Sequence, residues 1–121
     1  MGKIVPVSVY LIAAPEVRRV KIGVSENVVS RLKTLQAQSG AMLELVDSFV
    51  TPDYIVAGRV ESLLHSKLRL YHSHYEWFTD CEEVREAFEK AKINSRVTPA
   101  PRLDDSKEMD EQDWIREHHT F

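Results

Sequence analysis

Apolar positions recur with a period of two through the first quarter of the chain. Val7, Val9 and Leu11 interleave with Ser8, Tyr10 and Ile12, and Val20, Ile22 and Val24 interleave with Arg19, Lys21 and Gly23. That period predicts two half-buried strands. Between them "AAPEV" carries turn chemistry through Pro15. A turn centred on Pro15-Glu16 sets position 10 opposite position 21, on one face of a hairpin.

The period then becomes helical. Val28, Leu32 and Leu35 share one helix face, with Arg31 at its border and Gly40 as a stop signal. "MLELVDSFVT" is β-branched and apolar enough for a third strand. The longest helix is predicted within "TPDYIVAGRVESLLHSKLRLY". Thr51 caps it, Pro52 takes the first helical position and Asp53 sits at the positive end. Val60, Leu63, Leu64, Leu68 and Tyr71 form its buried stripe. "YEWF" reads as a short extended piece. Asp80 with Glu83 resembles a capping box before a last core helix, with Val84, Ala87, Phe88 and Ala91 inward. "SRVTPAPR" has the composition of a linker, and a short helix is predicted around Met109–Ile115. Strands and helices in this order predict a small α+β domain, an antiparallel β-sheet flanked by helices, over residues 1–95. Residues 96–121 form a linker and an acidic C-terminal tail.

Composition narrows the class. A chain of 121 residues supports one modest core. Its 43% hydrophobic and 29% charged residues are ordinary for a globular protein. No apolar run is long enough to span a membrane. The single cysteine, Cys81, excludes an internal disulfide and fits a reducing compartment, so a cytoplasmic location is expected. A net charge of −3 argues against a nucleic-acid partner only until it is divided. Residues 104–121 hold seven acidic and two basic side chains, leaving 14 basic and 12 acidic before them. A mildly basic body therefore carries an acidic tail. The tail is expected to engage a protein partner or to compete with DNA for the body's cations.

Five polar residues fall at suggestive places: Tyr10, Lys21, Arg31, Glu61 and His65. Glu61 and His65 are four apart on one predicted helix and share a face. One carboxylate near a phosphate suits Mg²⁺ (or Mn²⁺), since Mg²⁺ takes few protein carboxylates and keeps most of its waters. An arginine fork matches phosphate geometry. A tyrosine or lysine near the attacking water can take or relay a proton. Each residue also has a plain structural reading: Tyr10 as a strand aromatic, Lys21 as a sheet lysine, Arg31 as a solvated charge, Glu61–His65 as a wet helix pair. His72 and His74 supply no third metal ligand, and Cys81 has no histidine placed with it for catalysis.

The segments "VYLI" (9–12), "VKIGVS" (20–25), "RLKTLQ" (31–36), "ESLLH" (61–65) with Leu68, and "EWF" (76–78) occur in the order and spacing of a known family. The chain resembles the GIY-YIG nuclease superfamily, in particular the phage and bacterial branch with "KIG" in place of "YIG". The resemblance covers residues 7–78. It implies a metal-dependent DNA endonuclease of the kind that phages and mobile elements encode. Tyr10 would help activate the attacking water, Lys21 would stand for the second motif's tyrosine, Arg31 would stabilise the phosphate, Glu61 would bind the metal and His65 would accompany it. The first motif reads "SVY" here, and His72 stands where many members of the branch carry an arginine. The alternative is a binding or regulatory protein, without catalysis, on the same scaffold.

Overall fold

The computed structural model describes residues 4–97. The early alternation folds as a hairpin of β1 (Val7–Ala14) and β2 (Arg19–Ser25), followed by α1 (Val28–Gln38) and β3 (Glu44–Thr51). Then come α2 (Tyr54–Lys67), β4 (His72–His74), β5 (Trp77–Thr79) and α3 (Glu82–Val97). The strands make one antiparallel sheet in the order β3-β1-β2-β5-β4, so the protein is the small α+β domain expected.

The hairpin register differs from the expected one. Pro15–Val17 form a 3-10 turn, and Arg18 closes it in the left-handed conformation (φ 55°), its N–H donating to the Pro15 carbonyl at 3.1 Å. This loop of four residues puts Ala14 opposite Arg19, so Tyr10 opposes Gly23 and Lys21 opposes Ile12. The slip is two residues. Because side chains alternate with a period of two, Tyr10 and Lys21 keep a common face and become diagonal neighbours.

The two faces of the sheet carry separate cores. Val7, Val9, Leu11, Ala13, Val20 and Ile22 pack with Phe49, Leu64, Phe78 and Phe88 against α2 and α3. Tyr10, Ile12 and Ala14 pack with Leu43, Trp77 and the expected stripe of α1, Val28, Leu32 and Leu35. Within α2, Val60, Leu64 and Leu68 face inward as expected, but Leu63 is 70% exposed. At 3.6 residues per turn Leu63 falls outside the arc that Ala57, Val60, Leu64 and Leu68 share.

Several helix ends depart from the sequence reading. Asp53, not Thr51, caps α2, accepting from the Val56 N–H at 2.9 Å. Thr51 belongs to β3, and its buried hydroxyl donates to the Val7 carbonyl at 2.6 Å, tying β3 to β1. Gly40 supplies no left-handed cap to α1. Instead the Gln36 side chain donates to the Ala41 carbonyl (3.0 Å) and accepts from the Leu43 N–H (2.7 Å), leading the chain into β3. Asp80 grips the Arg85 guanidinium with both carboxylate oxygens, each at 2.8 Å, in place of a capping box with Glu83. Helix α3 runs through Val97, so "SRV" of the expected linker is helical. The acidic tail, the helix expected around Met109–Ile115 and the tail's competition with DNA lie outside the described residues. Among the described residues no helix is long and apolar enough to cross a membrane.

Candidate active site

The site begins with a missing side chain. Tyr10, only 1% exposed, lays its ring across β2 at Gly23. A Cβ at Gly23 would stand 2.4 Å from the Tyr10 hydroxyl oxygen and 2.6 Å from Cζ, closer than real contacts allow. The glycine of "KIG" is therefore required by the tyrosine of "VYLI", through the register and not through backbone conformation.

Arg31 reaches the same hydroxyl from α1. Asn27 caps that helix by accepting from the Ser30 N–H at 3.0 Å. Packing of Val28, Leu32 and Leu35 on the sheet then leaves Arg31 at the border of the buried stripe. Its guanidinium lies near the Tyr10 hydroxyl and favours the ionised form of the phenol. Burial pushes the Tyr10 phenol above its ordinary value; Arg31 opposes the shift, and the carboxylates of Glu76 and Glu61 reinforce it. Tyr10 is accordingly a phenol at neutral pH, able to donate a hydrogen bond.

Glu61 enters from the other side of the sheet. Strand β5 pairs only with Arg19–Lys21 of β2. Beyond that short ladder the edge of β2 is finished by two other groups. The Ile22 N–H donates to the Glu76 carbonyl at 3.3 Å, and the Ile22 carbonyl contacts His65 Nε2 at 3.1 Å. A carbonyl only accepts, so Nε2 carries the proton and Nδ1 keeps its lone pair. The His65 ring also packs edge-on against Phe78 at 4.9 Å. Burial holds its pKa below the ordinary histidine value, although the Ile22 carbonyl and Glu76 pull the other way. Glu61, half-buried one turn earlier on α2, shares this border.

Lys21 is 7% exposed, and its ammonium is held by Glu76 at 2.6 Å and lies 5.8 Å from the centroid of the Trp77 ring. An unpaired ammonium at that depth would be costly. Of the five residues expected, Arg31 lies beside the Tyr10 hydroxyl, and the Glu61 carboxylate is within electrostatic reach of it. Lys21 and His65 stand beside them, linked through Ile22 and Glu76. Glu76 is the group that residue types alone did not single out: it acts on Tyr10, Lys21 and His65 together. It sits in "EWF", but its partners are set by the tight turn between β4 and β5, where Tyr75 takes a left-handed φ of 52°.

Among the described residues no three His, Cys, Asp or Glu side chains form a closed metal cage. A single carboxylate such as Glu61 is the kind of ligand a hard cation takes when waters and phosphate oxygens complete its shell, as with Mg²⁺.

A phenol with a guanidinium beside it and a carboxylate within electrostatic reach is a set of groups suited to handling a phosphate ester. The T5orf172 domain matches residues 8–92, spanning every element from β1 into α3. The chain belongs to the T5orf172 domain family, a phage-associated, nuclease-like domain. No curated protein and no solved structure matches it.

Proposed function

We propose that the protein is a metal-dependent endonuclease of GIY-YIG type that hydrolyses phosphodiesters in DNA. The observation that supports it best is the buried Tyr10 hydroxyl lying over Gly23, with Arg31 beside it and the Glu61 carboxylate within electrostatic reach. Membership of the T5orf172 family and the order of the five sequence segments point the same way.

Arg31 is exposed and lies beside the Tyr10 hydroxyl. A phosphate arriving at the site competes for that guanidinium, whose fork fits two phosphate oxygens. Drawing Arg31 onto the phosphate uncovers the Tyr10 hydroxyl beside the reacting group. The phenol then donates to, or relays a proton with, the attacking water. Lys21, fixed by Glu76, adds positive charge where negative charge develops. The neutral His65 presents Nδ1 as an acceptor. Glu61 would hold Mg²⁺ or Mn²⁺, which when bound supplies charge neutralisation and a more acidic water.

The test is nicking of supercoiled plasmid with Mg²⁺ or Mn²⁺ by the full chain, Glu61→Gln and Arg31→Ala. Each substitution should lower the rate about a hundredfold or more, with circular dichroism and melting unchanged. Equal nicking by all three proteins would remove the nuclease reading. Unimpaired DNA binding without nicking by any of them would favour the scaffold as a binding protein.

A further inference from the structure

A second feature occupies the active face of the sheet. A cleft of about 320 Å³ opens between the C-terminal end of α1, the turn after β1 and the β4–β5 hairpin. Leu35 and Ala41 line it on one side, Arg19, Gln38 and His74 bring polar groups, and Trp77 forms a wall. Its volume lies at the lower end of the range for small-ligand sites.

Trp77 joins the cleft to the candidate active site. Its ring packs with the Tyr10, Ile12 and Ala14 cluster and faces the Lys21 ammonium at 5.8 Å. Tyr10 and Ala14, which lines the cleft, are four residues apart on β1, about 13 Å at a strand's rise. A nucleic-acid strand with a phosphate at Arg31 thus passes the cleft within a few nucleotides.

The lining has the chemistry of a base site. An indole offers a plane on which any base stacks. Arginine and glutamine supply the donors and acceptors that read base edges. His74 is held through Nδ1 by the Ser73 hydroxyl at 2.9 Å, which fixes its ring at the rim. The cleft has an arginine and no acidic side chain in its lining, which favours a polyanion over a cationic ligand. A base stacked and paired in a duplex cannot enter such a cleft, whereas an extrahelical one can.

We infer that the Trp77 cleft binds an unpaired nucleobase, so that the preferred DNA carries a bulged or single-stranded nucleotide near the attacked phosphate. This rests on the nuclease reading above. The probes are three DNAs of one sequence: a full duplex, the duplex with a bulged 2-aminopurine, and the same bulge with an abasic site. Binding is measured with the full chain in EDTA, so that cleavage does not interfere.

The 2-aminopurine bulge should bind at least tenfold more tightly than the other two, with its emission quenched. Ala41→Leu, which fills the cleft from a backbone position with no role at Tyr10, should bring the bulge down to the level of the duplex. Trp77→Leu should do the same and abolish the quenching. Arg31→Ala should weaken all three DNAs alike and keep their ratio. Equal affinity for the three DNAs, or an advantage that survives Ala41→Leu, overturns the base site while leaving plasmid nicking untouched. Failure to bind any DNA overturns the base site and the nuclease reading together.

Discussion

The two faces of the β1–β2 hairpin are equally dry and chemically opposite. Toward α2 and α3 the strands present Val7, Val9, Leu11, Ala13, Val20 and Ile22, none more than 2% exposed. Toward α1 they present Tyr10, Lys21 and Gly23 beside the apolar Ile12 and Ala14, with Tyr10 at 1% and Lys21 at 7%. The first face is what burial alone selects, each large aliphatic contributing about 1.5–3 kcal/mol. The second gives up that gain at three positions and must offset a buried ammonium with Glu76 and a crowded phenol with a glycine. Cores seldom keep polar groups at such depth unless they are fully partnered. The contrast teaches that one face holds the fold together and the other spends stability on positioned polar atoms, a trade found where a site is built into a scaffold.

The strongest way to break this comparison is Gly23→Ala. The added methyl meets the Tyr10 hydroxyl and Cζ at 2.4 and 2.6 Å. Overpacking of this kind costs about 1–3 kcal/mol, and displacement of Tyr10 should lower plasmid nicking about a hundredfold or more. Adding Tyr10→Leu should restore the denaturation midpoint and leave nicking lost. On the opposite face, Ile22→Val should cost about 0.5–1.5 kcal/mol and leave nicking nearly intact. If Gly23→Ala and Ile22→Val lower nicking equally, the two faces do not differ in function.

This asymmetry also explains what the sequence disclosed. Alternation in residues 7–25 and the helical stripes of α1 and α3 are direct consequences of burial, so they were legible. The register was not, because it depends on Arg18 entering the left-handed region, a choice "AAPEV" does not announce. Tyr10 and Lys21 share a face in either register only because the two registers differ by two residues. The caps expected at Thr51 and Asp80 do not form, because both side chains find stronger partners in the folded chain: the Val7 carbonyl for one, the Arg85 guanidinium for the other. At the site, Tyr10, Arg31 and Glu61 were identifiable by type and order. Glu76 was not, since its importance comes from a turn that brings its carboxylate to Lys21, 55 residues earlier.

Lys21 and Glu76 allow the comparison to be sharpened. Glu76→Gln leaves the Lys21 ammonium without its opposite charge. It should cost about 1 kcal/mol, a moderate amount because the Glu76 side chain is 44% exposed and solvent screens the pair. The double variant Lys21→Met/Glu76→Gln replaces the pair with an apolar side chain of similar length and a neutral amide. It should regain the lost stability or exceed it, as apolar replacement of paired charges often does, while nicking falls at least tenfold. Urea denaturation and plasmid nicking on the same preparations decide this. A double variant with reduced stability and full nicking would mean that Lys21 belongs to the supporting structure.

The smallest expected effect concerns His65, which sits on the border between the faces. Its pKa is held below the ordinary 6.5 by burial, outweighing the pull of the Ile22 carbonyl and Glu76 and aided by the nearby charges of His72 and Lys21. As pH falls through 6.5, the unfolded chain takes up a proton that the native ring resists. The unfolded state then binds more protons, so stability rises with pH in that range. The contribution of neutral His65 is complete above about pH 6.5 and is lost progressively as pH falls toward the native value. Asp80 also has a lowered pKa, caused chiefly by its hydrogen bonds to Arg85, but its loss begins only toward 3.8, so the two windows separate. Urea denaturation at steps between about pH 7.5 and 5 should show declining stability in the native chain. His65→Gln keeps an N–H donor for the Ile22 carbonyl without a titrating ring, and should flatten that decline while costing little at pH 7.5. An equal slope in both proteins would place the acid sensitivity elsewhere, and with it the view that the Ile22 edge is closed by a neutral imidazole.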